Sequence, residues 1–208
     1  MVLQTTVIGS FPKPDYLKTP DWFRTGHDGN FTEQYTRFVE QEQGQSEKLE
    51  NCIVQATKEI LNVQREIGID VVTDGEVRRE SYVLHFCRRL QGFDFCNLTR
   101  KACRDGAVTC DVPTIRSRVQ AMDSEPWVYK EWKKAQKMSD RPVKATLPGP
   151  MTIINSTSDV YYNDDVALGQ ELCNLINREV KALADAGCRY VQVCRFIQLS
   201  LQREVNTE

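Results

Sequence analysis

The sequence GIDVVTDGE at residues 68–76 is the clearest indication of the chain's architecture. Before it, apolar residues recur three and four positions apart, a spacing that places side chains on one face of a helix. They are Leu49, Ile53, Ala56, Ile60, Val63 and Ile67. Gly68 then stands where helices commonly end in a left-handed residue. The apolar run at residues 69–73 predicts a buried strand.

The same succession of helix, glycine and strand recurs near the end of the sequence. Asn163, Asp164 and Asp165 are candidate N-caps of a second helix. Its apolar face comprises Leu168, Leu172, Leu175, Ile176, Val180 and Leu183. Gly187 ends this helix, and residues 190–193 resume as a strand. Two such units in one chain predict a parallel α/β architecture.

Further elements complete this pattern. Residues 33–48, rich in Glu and Gln, predict an exposed helix start, and residues 123–137 predict another helix. We expect Trp127 and Trp132 on that helix to pack in the core rather than to stack on a ligand. Three more apolar runs bring the strand candidates to five. These runs lie at residues 5–8, 107–112 and 143–147.

Composition excludes several classes of function. The chain has 208 residues, with Lys+Arg 27 against Asp+Glu 29, and this net charge of −2 offers no basic excess for nucleic-acid phosphates. No apolar run approaches the roughly 18 residues of a membrane span, and the N-terminus does not resemble a signal peptide. We therefore expect a cytoplasmic protein. The 8 cysteines include no Cys-x-x-Cys pair, so buried free thiols are favoured over a zinc knuckle or a disulfide framework.

Polar residues follow three of the strand candidates directly. Gly9 and Ser10 follow the first, Asp74-Gly75-Glu76 the second, and a Pro-Gly-Pro sequence at residues 148–150 the fourth. In parallel α/β folds, ligands gather where the carboxyl ends of strands meet. The hydroxyl of Ser10 and the carboxylate of Glu76 are therefore candidates for binding a small polar substrate.

Each of these motifs also has a purely structural interpretation. Gly9-Ser10 suits a turn with a hydroxyl cap, and Asp-Gly is a common turn dipeptide. Glu76 with Arg78 and Arg79 suits a solvated cluster of ion pairs. Residues 148–150 suit a helix start with proline in the first turn. Only the joint placement of the motifs at strand ends favours a binding site.

Metal-binding residues are sparse in the sequence. The histidines are His27 and His85, and His85-Phe86-Cys87 forms a His-x-Cys pair. Residues 81–90 look helical, however, and residues two apart on a helix point away from each other. This favours a half-buried histidine and a core cysteine over a metal site. The sequence offers neither a convincing catalytic triad nor a Gly-rich phosphate loop.

Taken together, the strand-end motifs resemble the C-terminal catalytic barrel of cobalamin-independent methionine synthase and its stand-alone relatives. The matching motifs are TTVIGSFP at residues 5–12, GIDVVTDGE at 68–76 followed by Arg79, VKATLPGPMT at 143–152, and AGCRYVQV at 186–193. They occur in the family's order and extend over residues 3–193.

The resemblance implies a (β/α)8 barrel that transfers a methyl group from a polyglutamylated methyl-folate to homocysteine. The homocysteine thiolate is bound to zinc, because a thiol is a poor nucleophile at neutral pH until a cation stabilises its thiolate. By this resemblance, Ser10 and Glu76 would bind the amino-acid end of homocysteine, with Glu76 countering its ammonium group. Some relatives instead alkylate other thiols such as coenzyme M, so the acceptor stays open.

The sequence departs from the family pattern after Val193. Where the family has Asp-Glu-Pro, with the Asp binding the substrate amino group, this chain has Cys194-Arg195-Phe196. The family's zinc ligands come from later strands and have no counterpart here. We therefore expect residues 1–193 to form a partial TIM barrel of about five of the eight strands, followed by a divergent tail at residues 194–208.

These expectations imply a C-terminally truncated product whose methyltransferase activity is open. One alternative is a non-catalytic partial barrel that binds a ligand or pairs with another chain. Another is alkyl transfer to a different thiol on the same scaffold. An incomplete barrel has exposed sheet edges, and such edges favour self-association.

Overall fold

The computed structural model describes residues 3–21, 31–42, 46–103 and 108–194. Its helices are α1 (Phe31–Glu42), α2 (Ser46–Glu66), α3 (Tyr82–Cys87), α4 (Val128–Gln136), α5 (Pro150–Asn155) and α6 (Asp165–Asp185). Its strands are β1 (Leu90–Cys103), β2 (Val108–Ala121), β3 (Ala145–Pro148), β4 (Ser158–Asp159) and β5 (Val191–Cys194). Of the helices in these ranges, none is both long and apolar enough to cross a membrane.

Four segments lie side by side in parallel, in their order along the chain. The first, residues 5–8, meets the second, residues 69–73, at a bridge between Thr6 and Val71. A bridge between Val72 and Val143 joins the second segment to the third, residues 143–148. The third segment includes β3, which pairs along its length with β5, the fourth. Because α2 precedes the second segment and α6 precedes β5, the predicted α/β architecture is confirmed.

The strand predicted at residues 107–112 has a different role from the one expected. Residues 108–112 do belong to a strand, β2, but β2 pairs antiparallel with β1 in a hairpin, and Ala107 lies outside the described residues. β4 adds a short parallel pairing at the other side of β2. Counting this stretch among the barrel strands was therefore wrong, and within the described residues the parallel set has four of the five predicted segments.

The main core lies between the parallel segments and helices α3 to α6. Trp127 and Trp132 are buried in it, which confirms their predicted packing role, and Trp132 Nε1 donates to the Val143 carbonyl at 2.9 Å. Glu179 of α6 is also buried, and one of its oxygens accepts from the backbone N–H groups of Trp127 and Val128, each at 3.0 Å. This carboxylate thereby satisfies free donors at the start of α4.

Helix α2 buries a slightly different face from the one that its apolar spacing indicated. Val63 and Ile67 are 49% and 66% exposed, whereas Leu61 and Gln64 are buried. The Gln64 side chain accepts from the Thr73 backbone N–H at 2.9 Å and donates to the Thr73 carbonyl at 2.8 Å. The Gln64 side chain thus satisfies the Thr73 backbone N–H and carbonyl, as a neighbouring strand would, and it joins α2 to the second parallel segment.

The two outer members of the parallel set have open edges within the described residues. The first segment pairs only with the second and β5 only with β3, while Ile8 is 85% exposed and Val193 is 45% exposed. Lys144, which directly precedes β3, contacts both outer members. Its Nζ donates to the Val7 carbonyl of the first segment at 2.6 Å and to Gln192 Oε1 of β5 at 2.8 Å. Self-association through these edges stays a prediction.

Replacing Gln64 by leucine tests the junction between α2 and the second segment. Glutamine and leucine have similar size, so the change leaves the Thr73 N–H and C=O buried without partners. We expect Gln64→Leu to lower the free energy of unfolding by roughly 2–3 kcal/mol. Urea unfolding followed by circular dichroism measures this loss. Gln55→Leu, at an exposed position of the same helix, is the control, and equal losses in the two variants would contradict the prediction.

Candidate functional site at the strand ends

The loops after the first and second parallel segments meet, as the sequence predicted. Ser10 Oγ donates to Glu76 Oε2 at 2.7 Å. The two loops are also joined by a backbone hydrogen bond from Phe11 N–H to the Gly75 carbonyl at 2.9 Å. Thr73 Oγ1 donates to the Gly9 carbonyl at 2.8 Å. The two candidate site residues therefore lie in direct contact at one end of the sheet.

Glu76 reaches this position through an unusual backbone conformation. Its φ is 54°, in the left-handed region that non-glycine residues rarely occupy, and Gly75 before it has a φ of 68°. The Glu76 side chain then runs beside Gly9, where an added Cβ would lie 2.5 Å from Glu76 Oε1. Gly9 therefore makes room for a carboxylate that is only 6% exposed.

The loop region after the second segment also contacts β3. Thr146 Oγ1 donates to Glu76 Oε1 at 2.8 Å and accepts from Arg79 Nη1 at 2.8 Å. The same Nη1 donates to the Thr146 carbonyl at 3.1 Å and lies 3.8 Å from Glu76 Oε1. We call Ser10, Glu76, Arg79 and Thr146 the strand-end cluster. It contains one carboxylate, one guanidinium and two hydroxyls, contributed by three parallel segments and the loops after them.

Further carboxylates compensate the charge of Arg79 behind the cluster. Burial alone would lower the pKa of Arg79, but the negative charges of Asp74, Glu76 and Glu131 raise it. Asp74 Oδ2 lies 3.7 Å from Arg79 Nη2. Glu131 lies on α4 and contacts His85 Nε2 at 3.1 and 3.2 Å. Burial would raise the pKa of Glu131, but His85 and the two neighbouring arginines outweigh it and lower the pKa to about 2.

Cys194 occupies the position at which the resemblance implies an aspartate. Its carbonyl accepts from the Gly149 N–H at 2.8 Å and from Thr152 Oγ1 at 2.9 Å, and its Sγ accepts from Gln192 Nε2 at 3.0 Å. Burial lowers the pKa of the nearby Lys144 ammonium group, and the interaction with Cys194 partly opposes this shift. The backbone of Cys194 thus joins β5 to the Pro-Gly-Pro turn, while its side chain brings no carboxylate to the site.

The structural interpretations of the motifs have different outcomes. The solvated ion-pair cluster is wrong for Glu76 and Arg79, which are 6% and 7% exposed. Arg78 instead pairs with Glu50 of α2 at 2.6 Å, away from the strand-end cluster. A helix does start at Pro150, as the Pro-Gly-Pro sequence indicated.

Thr146 of the strand-end cluster and Glu131 behind it were not predicted from the sequence. Thr146 lies within an apolar strand pattern, where a hydroxyl gives no periodic signal. Glu131 lies on a helix that the sequence linked only to its tryptophans. The available signals were a threonine two residues before a Pro-Gly turn, and a glutamate one residue before a buried tryptophan.

The described residues offer no site for a metal ion. Within them, no group of three or more His, Cys, Asp or Glu side chains is placed to bind one. His85 contacts Glu131, and Cys87 is fully buried with its thiol pKa raised by burial. Both lie on α3, as the helical interpretation predicted, and His27 lies outside the described residues.

The parallel order and the glycine-lined carboxylate at the strand ends define an α/β protein with a buried carboxylate at one end of its parallel segments. The chain belongs to the cobalamin-independent synthase family, whose catalytic-domain model ("Cobalamin-independent synthase, Catalytic domain") matches residues 3–196.

Its relatives include methionine synthases. The chain is 31% identical over 193 residues to those of Sulfurisphaera tokodaii and Sulfolobus acidocaldarius, covering 92% of this chain and 51% of each relative. A solved structure of a B12-independent methionine synthase from Shewanella sp. W3-18-1, in complex with selenomethionine, is similar with a TM-score of 0.75 and 29% identity. That similarity covers 93% of this chain and 51% of the Shewanella chain. The chain thus spans about half the length of the relatives it matches.

Removing the charge of Glu131 tests its electrostatic role behind the cluster. Because the pKa of Glu131 falls from its ordinary 4.5 to about 2 in the folded protein, its stabilising effect is complete above about pH 4.5 and is lost as the pH falls towards 2. We expect Glu131→Gln to lower the free energy of unfolding at pH 7 by roughly 2 kcal/mol. Its stability should also fall less steeply than that of the wild type between pH 5 and 3.

Urea unfolding at a series of pH values provides the measurement. Glu66→Gln, at an exposed position of α2, is the control and should follow the wild-type pH profile. Identical acid profiles for Glu131→Gln and the wild type would contradict the assigned role.

Proposed function

We propose that the strand-end cluster binds the amino-acid end of homocysteine, as part of a homocysteine S-methyltransferase of the methionine synthase type. The observation that carries this proposal is the geometry of Glu76, a buried carboxylate with one hydroxyl donor on each oxygen. Each carboxylate oxygen can accept about two hydrogen bonds, so each retains capacity for a ligand N–H. The Shewanella relative binds selenomethionine, an amino acid with the same ammonium group, which supports the proposal.

The charge of the cluster favours an amino thiol over a sulfonate thiol. Arg79 is already compensated by Asp74 and Glu131, so Glu76 is the carboxylate available to a ligand. An ammonium group would be attracted to Glu76, whereas the sulfonate of coenzyme M would be repelled, and shielding from water strengthens both effects. We therefore favour homocysteine as the thiol. Methyl-folate is implied by the family resemblance, and we assign no described residue to it.

We further propose that residues 1–193 form part of a TIM barrel, with residues 194–208 as a divergent tail. The four parallel segments follow one another in chain order, and helices α2, α4 and α6 precede the second, third and fourth, as in a (β/α)8 barrel. The site lies at the carboxyl ends of the strands, where barrel enzymes bind their ligands. The similarity to the Shewanella structure supports this architecture.

Zinc does not fit the residues that the structure describes. In the family, zinc stabilises the homocysteine thiolate and makes it nucleophilic at neutral pH. Here His85 contacts Glu131, and the Cys87 thiol is buried with a raised pKa. Residues two apart on a helix also diverge. We therefore assign to the described residues the binding of the amino-acid group, and no step of methyl transfer.

Ligand binding tests the role of Glu76. We expect L-homocysteine to bind the 208-residue protein more tightly than 4-mercaptobutyrate, which is homocysteine without the amino group, and more tightly than coenzyme M. Glu76→Gln should weaken homocysteine binding about 10- to 100-fold, the loss expected for a hydrogen bond to a charged group. Isothermal titration calorimetry under reducing conditions measures these affinities.

Two controls make this experiment specific. Glu125→Gln removes an exposed carboxylate that pairs with Lys130, and it should bind homocysteine like the wild type. Binding of 4-mercaptobutyrate should be no weaker in Glu76→Gln than in the wild type, which separates loss of the ammonium contact from misfolding. Equal affinity of the wild type for homocysteine and 4-mercaptobutyrate would overturn the proposed function.

Metal analysis tests the assignment of His85 and Cys87. We expect the purified protein to contain much less than one zinc ion per chain, and the His85→Ala, Cys87→Ala double variant to contain no less. Mass spectrometry of zinc after dialysis against zinc-buffered solution measures both. Near-stoichiometric zinc that the double variant loses would show that these two residues are ligands.

A further inference from the structure

We infer that Thr146 is a positioning residue that keeps the Glu76 carboxylate available to the ammonium group of the ligand. This inference rests on the proposed function, because it concerns how the same carboxylate is presented. Thr146 is 3% exposed and lies in β3, where its backbone is in register with Gln192 of β5. A β-branched side chain in a paired strand has little rotational freedom, so its hydroxyl occupies a defined place.

The direction of the two hydrogen bonds at this hydroxyl follows from chemistry. A threonine hydroxyl has one proton to donate and two lone pairs to accept. Arginine can only donate, so the bond with Arg79 Nη1 uses a lone pair of Thr146 Oγ1. The hydroxyl proton is therefore free for Glu76 Oε1, to which Oγ1 lies at 2.8 Å. The guanidinium thus orients a neutral donor towards the carboxylate.

This arrangement separates the cation from the anion. Arg79 Nη1 lies 3.8 Å from Glu76 Oε1, beyond hydrogen-bond distance, while it donates to both the hydroxyl and the carbonyl of Thr146. A direct, bidentate pair between an arginine and a carboxylate would use both oxygens. The arginine would then compete with a ligand ammonium group. By occupying Nη1, Thr146 keeps Arg79 near enough to stabilise the buried charge without capping the carboxylate.

Three threonine variants test this inference. Thr146→Val is nearly isosteric but lacks the hydroxyl, and we expect it to weaken homocysteine binding about tenfold. Thr146→Ser keeps the hydroxyl and should restore most of the affinity. Thr57→Val makes the same chemical change at a buried threonine of α2, where the hydroxyl bonds only to the Ile53 carbonyl, and it should bind like the wild type.

Two readouts distinguish positioning from general loss of stability. Binding of 4-mercaptobutyrate should not differ among the variants, because this ligand has no ammonium group. In ¹⁵N-arginine spectra, we expect the Arg79 guanidinium to rotate faster in Thr146→Val than in the wild type and Thr146→Ser, because Nη1 keeps the Thr146 carbonyl but loses the hydroxyl. Arg79→Lys identifies the signal.

The outcomes separate this inference from the proposed function. If Glu76→Gln loses homocysteine binding while Thr146→Val binds like the wild type, the inference is overturned and the proposed function stands. If the wild type does not prefer homocysteine over 4-mercaptobutyrate, the proposed function fails, and the positioning role fails with it. An Arg79 signal unchanged in Thr146→Val would overturn the hydroxyl's control of the guanidinium whatever the affinities.

Discussion

The candidate site is organised around a buried negative charge, the carboxylate of Glu76. Moving a carboxylate out of water costs several kcal/mol. Hydrogen-bond and charge partners of good geometry must offset this cost. Ser10 comes from the first parallel segment and Thr146 from the third, while Glu76 itself follows the second. The buried charge in the folded protein is thus hydrogen-bonded by residues that belong to, or follow, three different parallel segments.

The same constraint extends into the helical layer. Arg79 provides the opposite charge for Glu76, but it is itself buried and needs anions of its own. Asp74 lies in the same loop, whereas Glu131 reaches from α4 and is held by His85 of α3. From the strand ends towards the helices, the carboxylate of Glu76 is thus followed by the guanidinium of Arg79 and then by the carboxylate of Glu131. Packing of α3 and α4 is consequently linked to the electrostatics of the candidate site.

Much of this arrangement was predictable because it is encoded locally. The left-handed glycines Gly68 and Gly187 lie where the helix patterns ended, and both lead into members of the parallel set. The proximity of Ser10 and Glu76 followed from a general rule, since the carboxyl ends of parallel strands meet at one edge. The family motifs indicated the same two residues independently.

What could not be predicted depends on partners distant in sequence. The alternation of residues 108–112 indicates a strand but not the direction of its neighbour, so the hairpin was counted with the parallel set. Gln64 is buried because it bonds to Thr73, a contact that makes a polar residue part of an apolar face. The Thr146 hydroxyl has its role only because Arg79 and Glu76 approach it from a different loop.

The hairpin of β1 and β2 has a consequence for how this fold tolerates change. Its base is closed by the pairing of Leu90 with Ala121, so the chain leaves and returns at one place. Beyond this base, Ile115 lies in the main core and Lys101 Nζ donates to the Ile154 and Thr157 carbonyls, so the hairpin packs on the elements that follow β3. We therefore expect substitutions at exposed hairpin positions such as Arg100 to be tolerated, and substitutions at Leu90 or Lys101 to destabilise the fold.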